Sequence, residues 1–411
     1  MNRLLELTLG VMTALGGFVD ISELVFAIGA GARFGTLLLW VVVLGTVGIA
    51  LFAEMSGRMA AVLKKPTFAI VRERYGYRGA LGVLLASNAV NVLTCAAEVG
   101  GLAIVLQIVF PANLRVLLLV AAAMLLASTY VLKFKWIERG YGLFGLTLLV
   151  YGAAAWKLDP DWAAVARDLV PHLPHEGMPP LSTYAFYAVG LFSSVLMTYE
   201  VSFYSSGGIE DRWTTRDLAI NKVTATVGFA LGGLLVAALI VVGAALYRPA
   251  NVVPQHLSST VFGAAIPLGP WGFRLALAGI FFAVGAAAVE TALASAYNAA
   301  QFFGFPWGKR KNPRDVPLFT ACWMGAIVLG LALSLTGVDP VQIIEYSVVL
   351  GIVVLPLTYY PVLRLAGDKR VMGEHVNPPV VRMLGWIYLV LITLAAVAAV
   401  PLMIATHMGR S

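Results

Sequence analysis

Charge is what this chain has least of. Only 12% of its 411 residues are Asp, Glu, Lys or Arg, against 60% that are hydrophobic, whereas about a quarter of the residues of a soluble protein are charged. That shortage excludes an ordinary soluble domain and leaves lipid as the surrounding solvent. Cysteine is nearly absent as well. Cys95 and Cys322 both fall inside apolar runs, which excludes a disulfide framework or a cysteine-based metal cluster and leaves them as small core residues. All five histidines, His172, His175, His256, His375 and His407, fall in connecting segments or at ends, so no histidine relay crosses the membrane. A nucleophile-base constellation, a glycine-rich phosphate loop and a metalloprotease motif are also missing, which argues against an enzyme. The net charge of +7 needs no nucleic acid to explain it.

Apolar runs of about 20 residues, long enough to cross a bilayer, recur from end to end. About eleven crossings are expected, near 5–33, 36–62, 79–110, 114–133, 136–156, 181–207, 218–247, 270–303, 317–336, 340–365 and 381–405, in one membrane domain, 1–411. Basic residues cluster in alternate connections: Lys64, Lys65, Arg72, Arg74 and Arg78; Lys133, Lys135 and Arg139; Arg212, Arg216 and Lys222; Lys309, Arg310, Lys311 and Arg314; Lys369 and Arg370. By the positive-inside rule the N-terminus then lies in the cytoplasm and the C-terminus outside. The first crossing follows only Met1-Asn2-Arg3 without a small-residue cleavage site, and is expected to be retained rather than removed as a signal peptide.

The polar stretch 157–180 is expected to be an external loop with a short helix near 161–170. His172, His175 and Glu176 could hold a metal there, but loop histidines are commonplace and the ordinary reading is preferred. Lys64 to Gly76 is expected to form a short amphipathic helix on the cytoplasmic face.

Two crossings, the first and the sixth, are interrupted. One contains Gly16-Gly17-Phe18-Val19-Asp20-Ile21-Ser22-Glu23, the other Ser193-Ser194-Val195-Leu196-Met197-Thr198-Tyr199-Glu200. Polar groups near the middle of a bilayer are costly and usually functional, and matching interruptions in two halves point to a transport site between repeats. Asp20 and Glu23, three apart, can aim two carboxylates at one point. With no Lys or Arg in the central part of either segment, such a pair is protonated or holds a cation. Oxygen ligands alone suit magnesium, calcium or manganese, and a thioether such as Met197 tilts the choice toward softer transition metals; alone, a membrane methionine is usually packing. Glu200 is a third ligand or faces the cytoplasmic exit. Glu54 and Glu345 lie near segment ends, while Glu98 and Glu290 are deeper and mark a secondary polar path.

Several stretches resemble one family. Glu54-Met55-Ser56-Gly57-Arg58 with Arg72-Glu73-Arg74-Tyr75-Gly76 looks like the second segment and following loop of the NRAMP (natural resistance-associated macrophage protein) metal transporters. Ala97-Glu98-Val99-Gly100 looks like their third segment, Ala296-Tyr297 through Phe303-Gly304 like the end of their eighth, and Met372-Gly373-Glu374 with Asn377 like the loop before their eleventh. The resemblance spans nearly the whole chain. It implies an all-α LeuT-type fold of two inverted five-helix repeats, about 5–156 and 181–365, plus an extra helix at about 381–405, in a bacterial-type inner membrane, with a divalent metal bound between segments one and six.

Carried over residue by residue, the family's Asp-Pro-Gly-Asn falls on Asp20-Ile21-Ser22-Glu23, and its Met-Pro-His on Met197-Thr198-Tyr199. Asp20 and Met197 keep their matches, Glu23 replaces an asparagine ligand, and the carbonyl ligand one turn earlier belongs to Ser194. Both helix-breaking prolines are gone, so unwinding would rest on Gly16, Gly17 and the polar residues. The acid that begins the family's proton path appears as Cys95 and its histidine as Tyr199, an arginine is lost around Ala321, and a glutamine is replaced by Val348. The usual proton coupling is therefore not expected, as in the NRAMP-related magnesium transporters, although those replace the methionine kept here.

The leading expectation is a secondary transporter for manganese or a related ion by alternating access. Its metal ligands are Asp20, Glu23, Met197 and Ser194, and Glu200, Glu98, Tyr199 and Glu290 form an additional polar or proton path. The metal is substrate, no cofactor is expected, lipid is the other partner, and a monomer suffices. The alternatives are a magnesium carrier uncoupled from protons, an organic-cation carrier on the same fold, and, more distantly, a non-transporting membrane sensor.

Overall fold

The computed structural model describes residues 19–132, 134–254 and 256–410, with the backbone but not the side chains of 134–139. The expected first crossing is thus only partly described, and Gly16 and Gly17 lie outside the described residues. Helices follow one another as α1 (Ile21–Phe34), α2 (Leu39–Leu63), α3 (Thr67–Val109), α4 (Leu114–Val131), α5 (Phe134–Gly145), α6 (Val150–Lys157), α7 (Trp162–Arg167), α8 (Leu181–Leu196), α9 (Glu200–Glu210), α10 (Leu218–Val223), α11 (Phe229–Val242), α12 (Leu257–Phe303), α13 (Pro317–Ser334), α14 (Pro340–Ala366), α15 (Lys369–Met372) and α16 (Pro379–Ala405). No strand occurs among the described residues. That is what a bilayer demands, because a helix satisfies its own backbone groups within one segment.

Nine helical stretches among the described residues are long and apolar enough to cross a membrane. The expected fifth crossing is helical too, but a 3₁₀ turn at Leu146–Leu149 divides it between α5 and α6, next to glycines that weaken regular α-helix. Short helices appear where amphipathic ones were expected. α7 is capped by Asp161, whose carboxylate accepts from the backbone N–H groups of Ala163 and Ala164. The piece expected on the cytoplasmic face forms the first turns of α3, which bends at Gly76, where φ is 65° and a side chain would be strained.

Lipid-facing helices show their apolar residues outward, as Val116, Leu119 and Met124 do on α4 and Val390, Leu394 and Val397 on α16. The bundle interior is built instead on close approach through small residues, the usual device where lipid and side chain are equally apolar. α1 crosses α11 and the π-helical turn Gly243–Tyr247 that follows it. A Cβ on Gly31 would come 2.2 Å from the Ile240 carbonyl oxygen, and one on Gly243 2.5 Å from that of Ile28. Only glycine admits this contact. It presses α1 into the bundle, with α3, α8, α12 and α14 also packed against it.

Candidate functional site

The interruption expected in segment six is present without proline. α8 stops at Leu196 and α9 starts at Glu200, with Met197, Thr198 and Tyr199 between them. Met197 carries the turn at φ 39° and ψ 110°, its N–H shared between the carbonyls of Ser193 and Ser194 at 3.2 Å each. A non-glycine residue at positive φ is uncommon, and such strain persists only where the surroundings fix it. Neighbouring contacts do so here: the Tyr359 hydroxyl donates to the Leu196 carbonyl at 2.7 Å and the Ser193 hydroxyl to that of Val348, also at 2.7 Å. In segment one, Val19 and Asp20 are non-helical and α1 begins at Ile21.

Asp20 is the N-cap of α1. Its Oδ1 accepts from the Ser22 N–H at 2.6 Å and from the Ser22 hydroxyl, while Glu23 Oε2 accepts from the Asp20 N–H at 3.0 Å. Together they form a capping box. A third carboxyl completes the turn from another helix: Glu98 Oε1, on α3, accepts from the Ile21 N–H at 3.1 Å. Three successive backbone donors, at Asp20, Ile21 and Ser22, are thus taken by carboxyl groups at the positive end of the helix dipole. All three acids are buried, with Asp20 3% exposed and Glu23 and Glu98 fully enclosed. Among the described residues none of them pairs with a Lys or Arg.

Two of these oxygens, Glu23 Oε1 and Glu98 Oε2, are buried without a hydrogen-bond partner, as is the Tyr199 hydroxyl. Unsatisfied buried polar atoms in a folded protein call for an explanation such as an ion. Tyr199 lies within electrostatic reach of the carboxyls of Asp20, Glu290, Glu200 and Glu23, which ties the break after α8 to the start of α1. Ser194, in the last turn of α8, donates its hydroxyl to the Leu191 carbonyl at 3.1 Å. The C-terminal end of α8 presents carbonyl oxygens and the negative end of a helix dipole, an environment that favours a cation. Among the described residues no three His, Cys, Asp or Glu side chains are clustered as a metal site by themselves, so an ion here would draw on thioether, carbonyl or hydroxyl donors as well.

The remaining candidates divide. Glu98, expected on a secondary path, stands at the N-terminus of α1 itself, and Cys95 lies one helical turn away with its thiol directed at the Ala288 carbonyl. Glu200 opens α9 and has Lys309 as its electrostatic neighbour, so it faces the 304–316 connection. Glu290 is buried on α12. Glu54 and Glu345 are partly exposed and paired, with Arg58 at 2.9 Å and Arg410 at 3.7 Å. His172 and His175 are exposed loop residues. Ser22 was not singled out by sequence; its only signal is its place between two acids.

Residues 10–401 match the family model described as natural resistance-associated macrophage protein-like. A divalent metal cation transporter of Pseudomonas aeruginosa, MntH 1, is 26% identical over 394 residues, covering 90% of this chain and 85% of that protein. Another, MntH of Deinococcus radiodurans, is 24% identical over 389 residues, covering 91% and 85%. Among solved structures, a mutant of the Eremococcus coleocola manganese transporter superposes with a TM-score of 0.74 at 20% identity, covering 98% of this chain and 87% of that one. A nucleobase-cation-symport-1 family transporter in a closed conformation gives 0.62 at 15% identity, covering 97% and 90%. The chain therefore has the LeuT-type fold shared by these transporters.

Proposed function

The chain belongs to the natural resistance-associated macrophage protein family, and on that premise we propose that it moves a divalent metal ion, manganese or a related transition metal, across the membrane by alternating access. It is a multi-pass membrane transporter, not an enzyme, and the metal is its substrate. One observation carries the reading: Asp20 and Glu23 are held together and buried at the start of α1, without a cationic partner among the described residues, and the facing segment breaks at Met197. In the loaded state Asp20, Glu23 and Met197 are the side-chain ligands and Ser194 lends its carbonyl. Two carboxylates offset the charge of a divalent ion, and the thioether favours manganese and softer metals over magnesium.

Residues 5–156 and 181–365 form the two inverted repeats, with 381–405 as an added helix, and the ion sits between them. Rocking of one repeat against the other opens the site to each side in turn. The cytoplasmic N-terminus, the external C-terminus, the bacterial-type inner membrane and a monomeric state complete the proposal. Glu98, Tyr199, Glu200 and Glu290 line a polar route from this point. Cys95 in place of an acid and Tyr199 in place of a histidine argue against the family's usual proton coupling. The additional carboxylate of Glu23 also supports a second reading, a magnesium carrier uncoupled from protons.

Uptake of manganese and, separately, magnesium into proteoliposomes, with and without a pH gradient, tests both. Saturable manganese uptake, lost in Asp20→Ala and altered in Glu23→Asn, is the expected result. Magnesium uptake indifferent to the gradient would favour the second reading. If neither ion is bound or moved, the proposal fails.

A further inference from the structure

Between the two acids of α1 stands a hydroxyl. Ser22 is 2% exposed; its Oγ donates to Asp20 Oδ1 and lies 3.3 Å from Glu23 Oε2. A serine carries one hydroxyl proton and two lone pairs, so a single proton here serves two carboxyl oxygens. It occupies the position from which a cation would bridge them. The second oxygen of Glu23 has no partner in this arrangement, which leaves the group short of positive charge.

We infer that Ser22 is a specificity-determining residue of the metal site, its hydroxyl acting as donor between Asp20 and Glu23 when the site is empty and as a neutral oxygen ligand when a divalent ion takes the proton's place. This rests on the metal-transport reading above. When an ion enters, both carboxylates turn their lone pairs to it and no longer need the serine proton. Rotation about Cα–Cβ then presents a serine lone pair to the ion, with no backbone change, because the N-cap bond uses the Ser22 N–H rather than its side chain. An added hydroxyl oxygen raises the share of hard donors around the ion. It thereby favours manganese against a softer ion such as cadmium, for which the Met197 thioether is the attractive ligand. The same hydroxyl also lowers the electrostatic cost of the empty carrier, by holding two carboxyl groups together without a counter-ion.

The test compares binding of manganese and of cadmium by calorimetry on the purified full chain, for wild type, Ser22→Ala and Ser22→Cys. Both variants keep the backbone cap. Ser22→Ala is expected to weaken manganese binding more than cadmium binding. Ser22→Cys, which exchanges oxygen for sulfur, is expected to shift the manganese-to-cadmium affinity ratio by at least about tenfold toward cadmium, equivalent to about 1.4 kcal/mol. A purely structural serine would change both affinities by one factor and leave the ratio alone; that result, or unchanged affinities, overturns the inference while leaving the transport reading intact. Failure of the wild type to bind either ion would instead remove the reading on which it rests.

Discussion

Glu98 and Ile21, 77 positions apart in sequence, meet through one hydrogen bond: the carboxyl on α3 accepts at 3.1 Å from the first backbone N–H of α1. A helix end inside a membrane has no water to satisfy its free donors, so α3 supplies the acceptor. The bond makes a proposed route residue also a structural cap.

Those two roles separate by substitution. Glu98→Gln retains a carbonyl oxygen that can accept from Ile21 and should leave thermal stability in detergent nearly unchanged. Glu98→Ala leaves a buried N–H unpaired and should cost about 1–3 kcal/mol. Equal melting temperatures for the two variants would show that the cap contributes nothing.

Met197 combines a strained backbone with a thioether. Met197→Leu approximately preserves volume and replaces the thioether with a branched hydrocarbon, so it should reduce cadmium affinity relative to manganese by about tenfold, equivalent to about 1.4 kcal/mol. Titration of both ions against the same preparation measures it. A parallel loss for both would mark Met197 as packing.

The approach of α1 to α11 depends on Gly31, whose substituted Cβ would lie 2.2 Å from a backbone oxygen and 2.8 Å from the Ala244 nitrogen. Backbone cannot step aside, so Gly31→Ala should destabilise the protein by at least about 1–3 kcal/mol. Gly152→Ala meets nothing within 4 Å and is the control, expected to be neutral or to gain about 0.5–1 kcal/mol. Comparable melting temperatures for both variants would contradict the packing argument.

Arg58 ties α2 to the segment before α16. Its Nε and Nη2 donate to the two oxygens of Glu54 at 2.9 and 3.0 Å, and Nη1 and Nη2 reach the His375 carbonyl and Asn377 Oδ1 at 2.5 Å each. Arg58→Ala should cost about 2–4 kcal/mol, because it leaves several partly buried acceptors unpaired. Arg58→Lys should recover only part, since an ammonium cannot reproduce the guanidinium fork. A double-mutant cycle with Glu54→Gln that returned no coupling would refute this account.

Much of the architecture was legible because lipid imposes a simple rule. Hydrophobic length located the crossings, and the polar interruption from Met197 to Glu200 identified a break point. Glu54 and Glu345, expected near segment ends, are partly exposed and paired with Arg58 and Arg410. The missing prolines suggested slighter unwinding in segment six, yet the chain leaves the helix at Met197 all the same, held by hydrogen bonds from Tyr359 and Ser193 that no local pattern encodes. Glu98 was seen as an intramembrane acid, but its partner on α1 was not.

The sequence by itself determined that this is a multi-span membrane protein with acidic residues placed inside two of its apolar segments, because hydropathy and the scarcity of charge are local properties written residue by residue. Only the tertiary structure decided which groups share a site. The bond from Ile21 to Glu98, the reach of Tyr199 to four carboxyls and the glycine contact of α1 with α11 arise when distant helices pack, and the balance of backbone donors, carboxyl acceptors and orphaned oxygens exists only once they have done so.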